Sequence, residues 1–385
     1  MNLLHVISSC NPSSGGPIEG VKIMYKHFKK VGINPEILCS DSPKKIFTKN
    51  KDLPKIYAVG PGLFNYKYNP SLKSWLYKNI EKYDCVIIHG LWQYHNYAVW
   101  KVATERKIPY YIFYHGMLDP WFNKGNIFKY LKKKIYWNLI QHKIIKNAKS
   151  ALFTSTQEKY LARKSFKPYK VKEKLAGYGT SGNPYHYNIK NNLFFKKYPK
   201  LKKKKLIIFF GRIHPKKGVD LLIEAFQEVF KEDSKYHLVI AGPYQKKYYE
   251  YLNKCFANHS NKLKNFTTWT GPIYNKLKWD FLKSCYFFCL PSHQENFGIS
   301  ITEAMASKKP VMITDKVNIY KVIKKYKAGF VNNDDLKGVI LNLKKIRDLN
   351  KIKYKKMCKS SHDCYMGNFN MKNNIEKTIN IIRKS

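Results

Sequence analysis

The sequence predicts an α/β protein built from two doubly wound, Rossmann-like domains. Short apolar runs alternate with segments whose apolar residues repeat at helical spacing, which is typical of parallel strands joined by helices. With 385 residues, the chain is too long for one ordinary core and long enough for two domains. Glycine, proline and lysine interrupt the alternation between residues 178 and 201, which predicts the domain boundary there.

The predicted domains are 1–185, a linker at 186–205, a second domain at 206–356, and C-terminal helices at 357–385. In the first domain, strands are predicted at 3–7, 36–39, 85–89, 110–114, 151–154 and 171–175, with the clearest helices at 18–31 and 126–149. In the second domain, strands are predicted at 206–210, 237–241, 266–269, 286–290 and 311–314, with the clearest helix at 219–230. Ligand sites of such folds lie at the carboxyl ends of the strands.

The charge of the chain is strongly positive, with a formal net charge of +47. Almost all of the basic residues are lysines, and very few are arginines. Arginine is the residue that proteins prefer for binding guanine and phosphate. No nucleic-acid-binding motif accompanies the charge, so nucleic acid is not a predicted partner. The composition indicates a bias toward lysine first and a preference for anionic surfaces second.

The eight cysteines show no zinc-binding spacing, so free and mostly buried thiols are predicted. The apolar run at 3–7 is too short for a signal peptide, and no run is long enough to span a membrane. The predicted location is the cytoplasm. A peripheral position on the cytoplasmic face of the inner membrane is compatible with this prediction.

One strand-to-helix turn carries paired carboxylates. An apolar run ends at Pro291, and Gly298 opens a helix whose first backbone N–H groups suit an anion. Glu295 lies in the loop, and Glu303 lies in the helix with its side chain tilted back toward the start. Both can therefore face one crevice, although an isolated pair at this spacing is more often a solvated loop acid and a solvated helix acid.

A second turn of this kind follows the predicted strand at 206–210. Gly211 permits a tight exit from the strand, and Gly218 precedes the next helix. Arg212 can bind a diphosphate as a bidentate fork, whereas Lys217 can act on it as a point charge. The sequence thus predicts two anion-binding turns in one sheet.

These residues resemble the signature of retaining glycosyltransferases of family 4, which have the GT-B fold of two Rossmann-like domains facing across a cleft. Gly15-Gly16-Pro17 resembles the glycine loop of that family, and the segment 113–121, Phe-Tyr-His-Gly-Met-Leu-Asp-Pro-Trp, resembles the His-Gly segment of its surface-polysaccharide members. The glycine loop does not match the dinucleotide-binding motif, because the spacing Gly-x-Gly-x-x-Gly is absent. This absence disfavours an NAD-dependent dehydrogenase.

The resemblance implies a role for each site residue. Donor-binding residues would be Gly15, Gly16, Arg212, Lys217, Phe297, Gly298 and Glu303, with Glu303 on the ribose hydroxyls. Catalytic residues would be His115, beside the donor sugar, and Glu295, on its hydroxyls. The resemblance also implies that the last helix returns to the first domain.

The predicted function is transfer of a hexose-type sugar, with retention, from a nucleoside-diphosphate sugar to a glycan or lipid-linked acceptor in surface polysaccharide or lipopolysaccharide synthesis. No metal or other cofactor is predicted, because the sequence lacks Asp-x-Asp and cationic groups can offset the leaving charge. Two alternatives remain: a nonhydrolysing sugar-nucleotide epimerase of the same architecture, and a non-enzymatic basic protein that binds membranes or nucleic acid.

A pair of histidines and one predicted helix each allow two interpretations. His89 and His95 lack a third metal ligand in their pattern, so acceptor contact or core packing is predicted for them. The predicted helix at 126–149 is amphipathic and basic, which suits either a solvated helix or an anionic membrane surface as a further partner.

Overall fold

The computed structural model of the protein describes residues 1–12, 15–45, 47, 53–123, 125–185, 191–257 and 266–384. The chain forms two compact units, Met1–Gly179 together with Met371–Ser385, and Thr180–Asn370. Residues 191–205, which were predicted to be linker, lie inside the second unit and contain a short helix. The linker positions 186–190 and the final residue, Ser385, lie outside the described residues.

The first unit is built on a parallel sheet. Its strands are β1 (Asn2–Ile7), β2 (Asn34–Cys39), β3 (Ile56–Ala58), β4 (Cys85–His89), β5 (Tyr110–Phe113), β6 (Ser150–Phe153) and β7 (Glu173–Leu175). Its helices are α1 (Gly16–Lys30), α2 (Pro70–Asn79), α3 (Tyr94–Glu105), α4 (Ile127–Tyr136), α5 (His142–Asn147), α6 (Thr156–Ala162) and, at the C-terminus, Met371–Arg383. The described strands are ordered β3-β2-β1-β4-β5-β6-β7.

This strand order places a topological switch point between β1 and β4. The chain leaves β1 toward β2 on one side, and returns to β4 on the other, so the loops after these strands diverge and open a crevice. In register, Ile7 is paired with both Cys39 and His89. Every residue of the central strands β1 and β4 is buried except Asn2, and most of them are apolar, as expected where helices cover both faces of a sheet.

The second unit contains the other parallel sheet. Its strands are β8 (Lys205–Phe210), β9 (Tyr236–Ala241), β10 (Thr267–Gly271), β11 (Cys285–Leu290), β12 (Val311–Thr314) and β13 (Gly329–Asn332). Its helices are α7 (Leu193–Lys197), α8 (Val219–Phe230), α9 (Lys246–Ala257), α10 (Asn275–Ser284), α11 (Ile299–Ala306), α12 (Tyr320–Tyr326), α13 (Leu336–Arg347) and α14 (Lys351–Asn368). Among the described residues the order is β10-β9-β8-β11-β12-β13, so the switch point lies between β8 and β11.

The predicted helices differ from the structure in two places. The helix predicted at 126–149 is divided, because a π-helical turn at Trp137–Gln141 separates α4 from α5. The predicted C-terminal helices are α14, which begins at Lys351 and not at 357, and Met371–Arg383, which belongs to the first unit and which we call α15.

Helix α15 packs against the first unit through specific contacts. The Arg383 guanidinium donates to the Val31 carbonyl at 2.9 Å, and the Tyr111 hydroxyl donates to the Ile381 carbonyl at 3.1 Å. Gly177 lies so close to α15 that a Cβ there would be 1.7 Å from the Asn374 carbonyl oxygen. Glycine is therefore required at this contact. In the described part of the chain, no helix has both the length and the apolar character needed to cross a bilayer.

Candidate active site

The turn after β8, residues 211–218, is called here the Arg/Lys turn. Arg212 is exposed, and Pro215–Lys217 form one turn of 3-10 helix. The His214 ring caps this turn by accepting from the Lys216 backbone N–H at 3.1 Å. Burial lowers the pKa of His214, and the positive charges of Arg212, Lys216 and Lys217 lower it further. The turn thus keeps a neutral histidine beside a cluster of cations.

The turn after β11, residues 291–298, is called the Glu turn. Gly298 is the N-cap of α11 with φ of 75°, a left-handed conformation that favours glycine. No side chain caps this helix. The Ile301 N–H donates to the Gly298 carbonyl at 2.9 Å, whereas the N–H groups that open a helix have no carbonyl one turn earlier to bind and carry the positive end of the helix dipole. The start of α11 therefore suits an anionic ligand.

The structure brings the two turns into direct contact, because β8 and β11 are neighbours at the switch point. The His293 backbone N–H donates to the Lys216 carbonyl at 2.9 Å. At Gly218, which has φ of 64°, a Cβ would lie 2.1 Å from the Pro291 carbonyl oxygen. The Lys217 ammonium forms an ion pair with the Glu295 carboxylate. Cationic and carboxylate groups predicted from separate motifs thus form one site.

Glu295 is held on both sides by backbone hydrogen bonds to the loop after β12. Its N–H donates to the Lys316 carbonyl at 3.1 Å, and its carbonyl accepts from the Asn318 N–H at 2.9 Å. Burial alone would raise the pKa of the Glu295 carboxyl, but the charges of Lys217 and Lys216 outweigh it and lower the pKa. Glu295 is therefore an ionised carboxylate at neutral pH, fixed in place and able only to accept hydrogen bonds.

Glu303 lies on α11, and its side chain is almost fully buried. The Lys278 ammonium, on α10, binds the Glu303 carboxylate at 2.6 Å. The same carboxylate contributes to raising the pKa of the Tyr365 hydroxyl to about 12, a shift caused mainly by burial. The two glutamates therefore form ion pairs with different lysines: Glu295 pairs with Lys217, and Glu303 pairs with Lys278.

The other residues predicted for the Glu turn have distinct positions. Phe297 is buried, and its ring packs edge-to-face on Phe369 with centroids 5.7 Å apart. Its side chain is therefore part of the local core of the second unit. The neighbouring His293 contacts the Asp334 carboxylate at 3.0 Å, which ties the turn to the end of β13.

In the first unit, Tyr178 joins two predicted site elements. Its hydroxyl donates to the Gly16 carbonyl at 3.2 Å, and its ring lies edge-on to the His115 ring with centroids 6.2 Å apart. Gly15, the N-cap of α1, has φ of 86°, and a Cβ there would meet no atom of the described residues within 4 Å. The described part of the chain therefore leaves the backbone at Gly15 approachable, and Tyr178 links this loop to His115.

A buried carboxylate orders the loop that carries His115. Glu158, on α6, accepts from the Gly116 N–H at 2.6 Å through one oxygen. Its other oxygen accepts from the N–H and the hydroxyl of Thr154, both at 2.7 Å. His115 itself has φ of 51°, which is unusual for a residue with a side chain. By binding the next N–H, that of Gly116, Glu158 thus stabilises the strained backbone of a candidate catalytic residue.

His89 and His95 are buried, as the core-packing interpretation expects. The His95 Nε2–H donates to the His89 carbonyl at 3.0 Å. His89 also contacts two further histidines, His5 on β1 and His115. No metal-type cluster of these rings is present in the part of the chain that the structure describes.

None of the described cysteine side chains forms a disulfide bond. The side chain of Cys255 lies outside the described part of the chain. Just after β1 and at the end of β2, the Sγ atoms of Cys10 and Cys39 and a carboxylate oxygen of Asp41 all lie within 4.8 Å of one another. The Asp41 carboxylate accepts from the Ser9 hydroxyl at 2.8 Å and from the Cys10 N–H at 2.6 Å. Asp41 therefore fixes the loop after β1. The spacing of the cysteines in the sequence did not indicate this role of Asp41.

Several partners of the predicted site residues have almost no sign in the sequence. Lys278 and Glu158 lie in helices, His5 lies in β1 and Tyr178 lies in a loop, and only the fold of each unit brings them beside the predicted site residues of that unit. A histidine in the apolar run of β1 was the one available signal, because a polar side chain in a buried strand needs a partner.

Residues 190–354 match the family model described as "Glycosyl transferases group 1", which covers most of the second unit. MJ1178 of Methanocaldococcus jannaschii, described as an uncharacterized glycosyltransferase, is 30% identical over 150 residues, 37% of this chain and 39% of that protein. Alpha-monoglucosyldiacylglycerol synthase of Streptococcus pneumoniae is 29% identical over 140 residues, 36% of this chain and 31% of that protein. The chain thus spans well under half the length of these two relatives.

Solved structures extend the similarity to the whole chain. Anabaena Alr3699/HepE, solved with UDP and glucose, has a TM-score of 0.79 with 13% identity and covers 100% of both chains. At this identity the similarity shows the fold alone. The two parallel-sheet α/β units therefore have the GT-B fold, as predicted, and the second carries the group 1 glycosyltransferase match.

Proposed function

We propose that the protein is a retaining, metal-independent glycosyltransferase that takes a hexose-type sugar from a nucleoside-diphosphate donor. The observation that carries the proposal is the contact between the Arg/Lys turn and the Glu turn at the switch point of the second sheet. Two anion-binding turns are joined there by the His293 to Lys216 hydrogen bond. The family match over the same residues and the UDP-bound relative of the same fold support a nucleotide-sugar donor.

The chemistry of sugar transfer requires stabilisation of a departing nucleoside diphosphate. Negative charge grows on the phosphate as the glycosidic bond breaks, so positive groups placed there lower the barrier. Arg212, Lys217 and the uncapped start of α11 supply such groups. We propose that they bind the diphosphate directly, without a metal ion.

The carboxylates provide the other half of the site. Vicinal hydroxyls of a sugar or ribose donate hydrogen bonds to carboxylates. We propose that Glu295 binds hydroxyls of the transferred sugar and that Glu303 binds those of the ribose. Retention would follow from attack by the acceptor on the face that the diphosphate leaves, with no enzymic nucleophile. His115 would contact a hydroxyl of the donor sugar.

A nonhydrolysing sugar-nucleotide epimerase is the main competitor, because it shares the architecture. The products separate the two functions. An epimerase returns an intact nucleotide sugar with inverted configuration at one carbon, whereas a transferase releases nucleoside diphosphate. Chromatography of a nucleotide sugar after incubation with the protein distinguishes these outcomes.

Replacing Arg212 by Ala should weaken the binding of UDP, or of whichever nucleoside diphosphate binds best, by about 10-fold to 100-fold. The reason is that a charged hydrogen bond to phosphate contributes about 1.5–3 kcal/mol. Arg212 is the cleaner probe, because Lys217→Ala would also leave Glu295 without its partner. Calorimetric titration measures the affinity, and Lys231→Ala, at an exposed position in the same unit, is the control for loss of one charge. Equal affinity of Arg212→Ala and wild type would remove Arg212 from the donor site.

For the acceptor, we propose a glycan or a lipid-linked sugar reached at an anionic membrane surface, in surface polysaccharide or lipopolysaccharide synthesis. Support comes from α4, where an apolar stripe faces solvent: Phe128 is 81% exposed and Ile135 is 61% exposed. Leu131 and Leu139 extend the stripe at helical spacing. Exposed apolar surface of this kind marks interaction sites. The name of the pneumococcal relative, a glucosyldiacylglycerol synthase, is consistent with a lipid acceptor.

Lysines flank this stripe in the arrangement expected for a membrane-surface helix. On an ideal helix, Lys132 and Lys134 fall at its two edges, and both are exposed. Lys133 instead lies over the Trp92 ring at 5.1 Å, and burial lowers its pKa. Apolar insertion and attraction to anionic headgroups would therefore act together on α4.

The double replacement of Phe128 and Ile135 by Gln should abolish most binding to vesicles of mixed phosphatidylglycerol and phosphatidylcholine. The change removes the inserted apolar surface. Replacing Lys132 and Lys134 by Gln should instead remove the preference for phosphatidylglycerol and its salt dependence. Co-sedimentation measures both effects, with Ile352→Gln, an apolar position 80% exposed on α14, as the control. Equal sedimentation of wild type and the Phe128/Ile135 variant would make α4 a solvated helix.

A further inference from the structure

Three histidines form a hydrogen-bonded chain at the switch point of the first sheet. His115 Nε2 lies 3.0 Å from His89 Nδ1, and His89 Nε2 lies 2.9 Å from His5 Nδ1. His5 lies within β1, His89 ends β4, and His115 follows β5. These strands are neighbours in the sheet, so the chain of rings runs from the core to the strand ends.

Burial keeps all three rings uncharged at neutral pH. It lowers the pKa of His5 and of His115 to about 3, and it lowers the pKa of His89 well below its usual range. A neutral imidazole donates from one nitrogen and accepts at the other. Both hydrogen bonds can therefore form only if the three protons are arranged in the same sense along the chain.

Two such arrangements exist, and they differ at the ends. In the first, every Nδ1 carries the proton, which leaves His115 with an outer N–H and His5 with a bare Nε2. In the second, every Nε2 carries the proton, which leaves a buried N–H on His5. Within the described residues, His5 Nε2 is buried and has no hydrogen-bond partner.

The inner end of the chain selects the first arrangement. Buried N–H groups without an acceptor are rarer in proteins than buried acceptors without a donor. His95 follows the same rule, because its Nε2–H must donate to the His89 carbonyl while its Nδ1 remains bare, buried and without a partner in the described structure. His5 Nε2 is accordingly the bare nitrogen, and His115 carries its proton on Nδ1.

We propose that His5 and His89 are positioning residues that hold His115 in the Nδ1–H tautomer, so that it presents a hydrogen-bond donor to the ligand. His115 is half-buried, and its Nδ1 contacts no acceptor in the part of the chain described. The proposal rests on the proposed function for the identity of that ligand. The ligand group at His115 is then an acceptor, such as a hydroxyl or acyl oxygen of the sugar. The ammonium group of an amino sugar, which can only donate, is disfavoured there.

The tautomer can be measured on the unliganded protein, independently of any activity. Long-range nitrogen–proton NMR spectra of the nitrogen-15-labelled full chain near pH 7 distinguish a protonated from a bare ring nitrogen. We expect a protonated Nδ1 and a bare Nε2 for His5, His89 and His115, with assignments made by replacing each histidine in turn. A protonated Nε2 on His115 in the wild-type protein would overturn the proposal.

Two variants of similar size test whether His89 imposes the tautomer. The amide of His89→Gln can accept from His5 Nδ1–H and donate to His115 Nε2, so His115 Nε2 should stay bare. The carboxylate of His89→Glu only accepts, so His115 Nε2 should become protonated. His237→Gln, which removes a buried histidine from the second unit, should leave the His115 signals unchanged. The same His115 state in both His89 variants would also contradict the proposal.

Failure of this inference and failure of the proposed function are separable. If the tautomer is as expected but no nucleotide sugar turns over, the function is wrong and the positioning chain stands. If a nucleotide sugar turns over, its binding should preserve the His115 Nδ1 proton and shift its signal, because that proton donates to the ligand. Disappearance of that proton on binding would overturn the donor role.

Discussion

Glu295→Gln is expected to lower kcat by about 10-fold to 100-fold, because the lost contact strengthens as positive charge develops on the transferred sugar. The uncharged amide keeps the size of the side chain but cannot offset that charge. Glu303→Gln is expected to act mainly on the donor KM, since ribose contacts are alike in the ground state and the transition state. Steady-state kinetics with the preferred nucleotide sugar give both constants.

The free nucleoside diphosphate serves as an internal control for these two roles. It carries the ribose but not the sugar, so its affinity should fall for Glu303→Gln and change little for Glu295→Gln. Each variant leaves one cation, Lys278 or Lys217, without its carboxylate, so thermal unfolding of both must be compared with wild type. Loss of diphosphate binding in Glu295→Gln alone would mean that the two roles are reversed.

Glu158→Ala is expected to destabilise the first unit by about 2–3 kcal/mol, at the upper end of the usual range for single substitutions. The variant removes a buried carboxylate that accepts from the Gly116 N–H and from the N–H and hydroxyl of Thr154. The buried Gly116 N–H would lose its acceptor, and the strained backbone of His115, the preceding residue, would lose this support. Urea unfolding followed by circular dichroism measures the loss.

A surface glutamate on the same unit provides the control. Glu81 pairs with Arg106 at an exposed position, and Glu81→Ala should cost less than about 1 kcal/mol. If both alanine variants unfold at the same urea concentration, Glu158 does not order the loop around His115. If Glu158→Ala is insoluble, Glu158→Gln offers a milder test, since one amide oxygen can still accept.

The fold was predictable because buried parallel strands are continuous apolar runs. Strands β4 and β12 and helix α8 have the bounds that hydrophobic patterns gave. Helix α1 begins at Gly16, two residues before the predicted start at 18, and Gly15 is its N-cap. The patterns missed the short edge strands β3 and β13. They also missed the π-helical turn after α4, since no proline or glycine marks it.

The site was predictable only where residues lie close in the sequence. Arg212 and Lys217 share one turn, and Glu295 and Gly298 share another, so local motifs indicated each. Their union depends on the strand order, which places β8 beside β11. The partners Lys278 and Glu158 come from helices, where a charged residue on a half-polar surface gives no sign that it reaches a buried carboxylate or a loop.

Release of nucleoside diphosphate from a panel of nucleotide sugars tests the central claim most directly. The full chain is incubated with each sugar in the presence of a chelator and of mixed anionic vesicles, and the released diphosphate is quantified. A donor should be consumed at a rate unaffected by the chelator and reduced in both Arg212→Ala and Glu295→Gln. Release that is equal in wild type and in both variants, or no release from any nucleotide sugar by a folded protein that also fails to bind nucleoside diphosphates, would contradict the account.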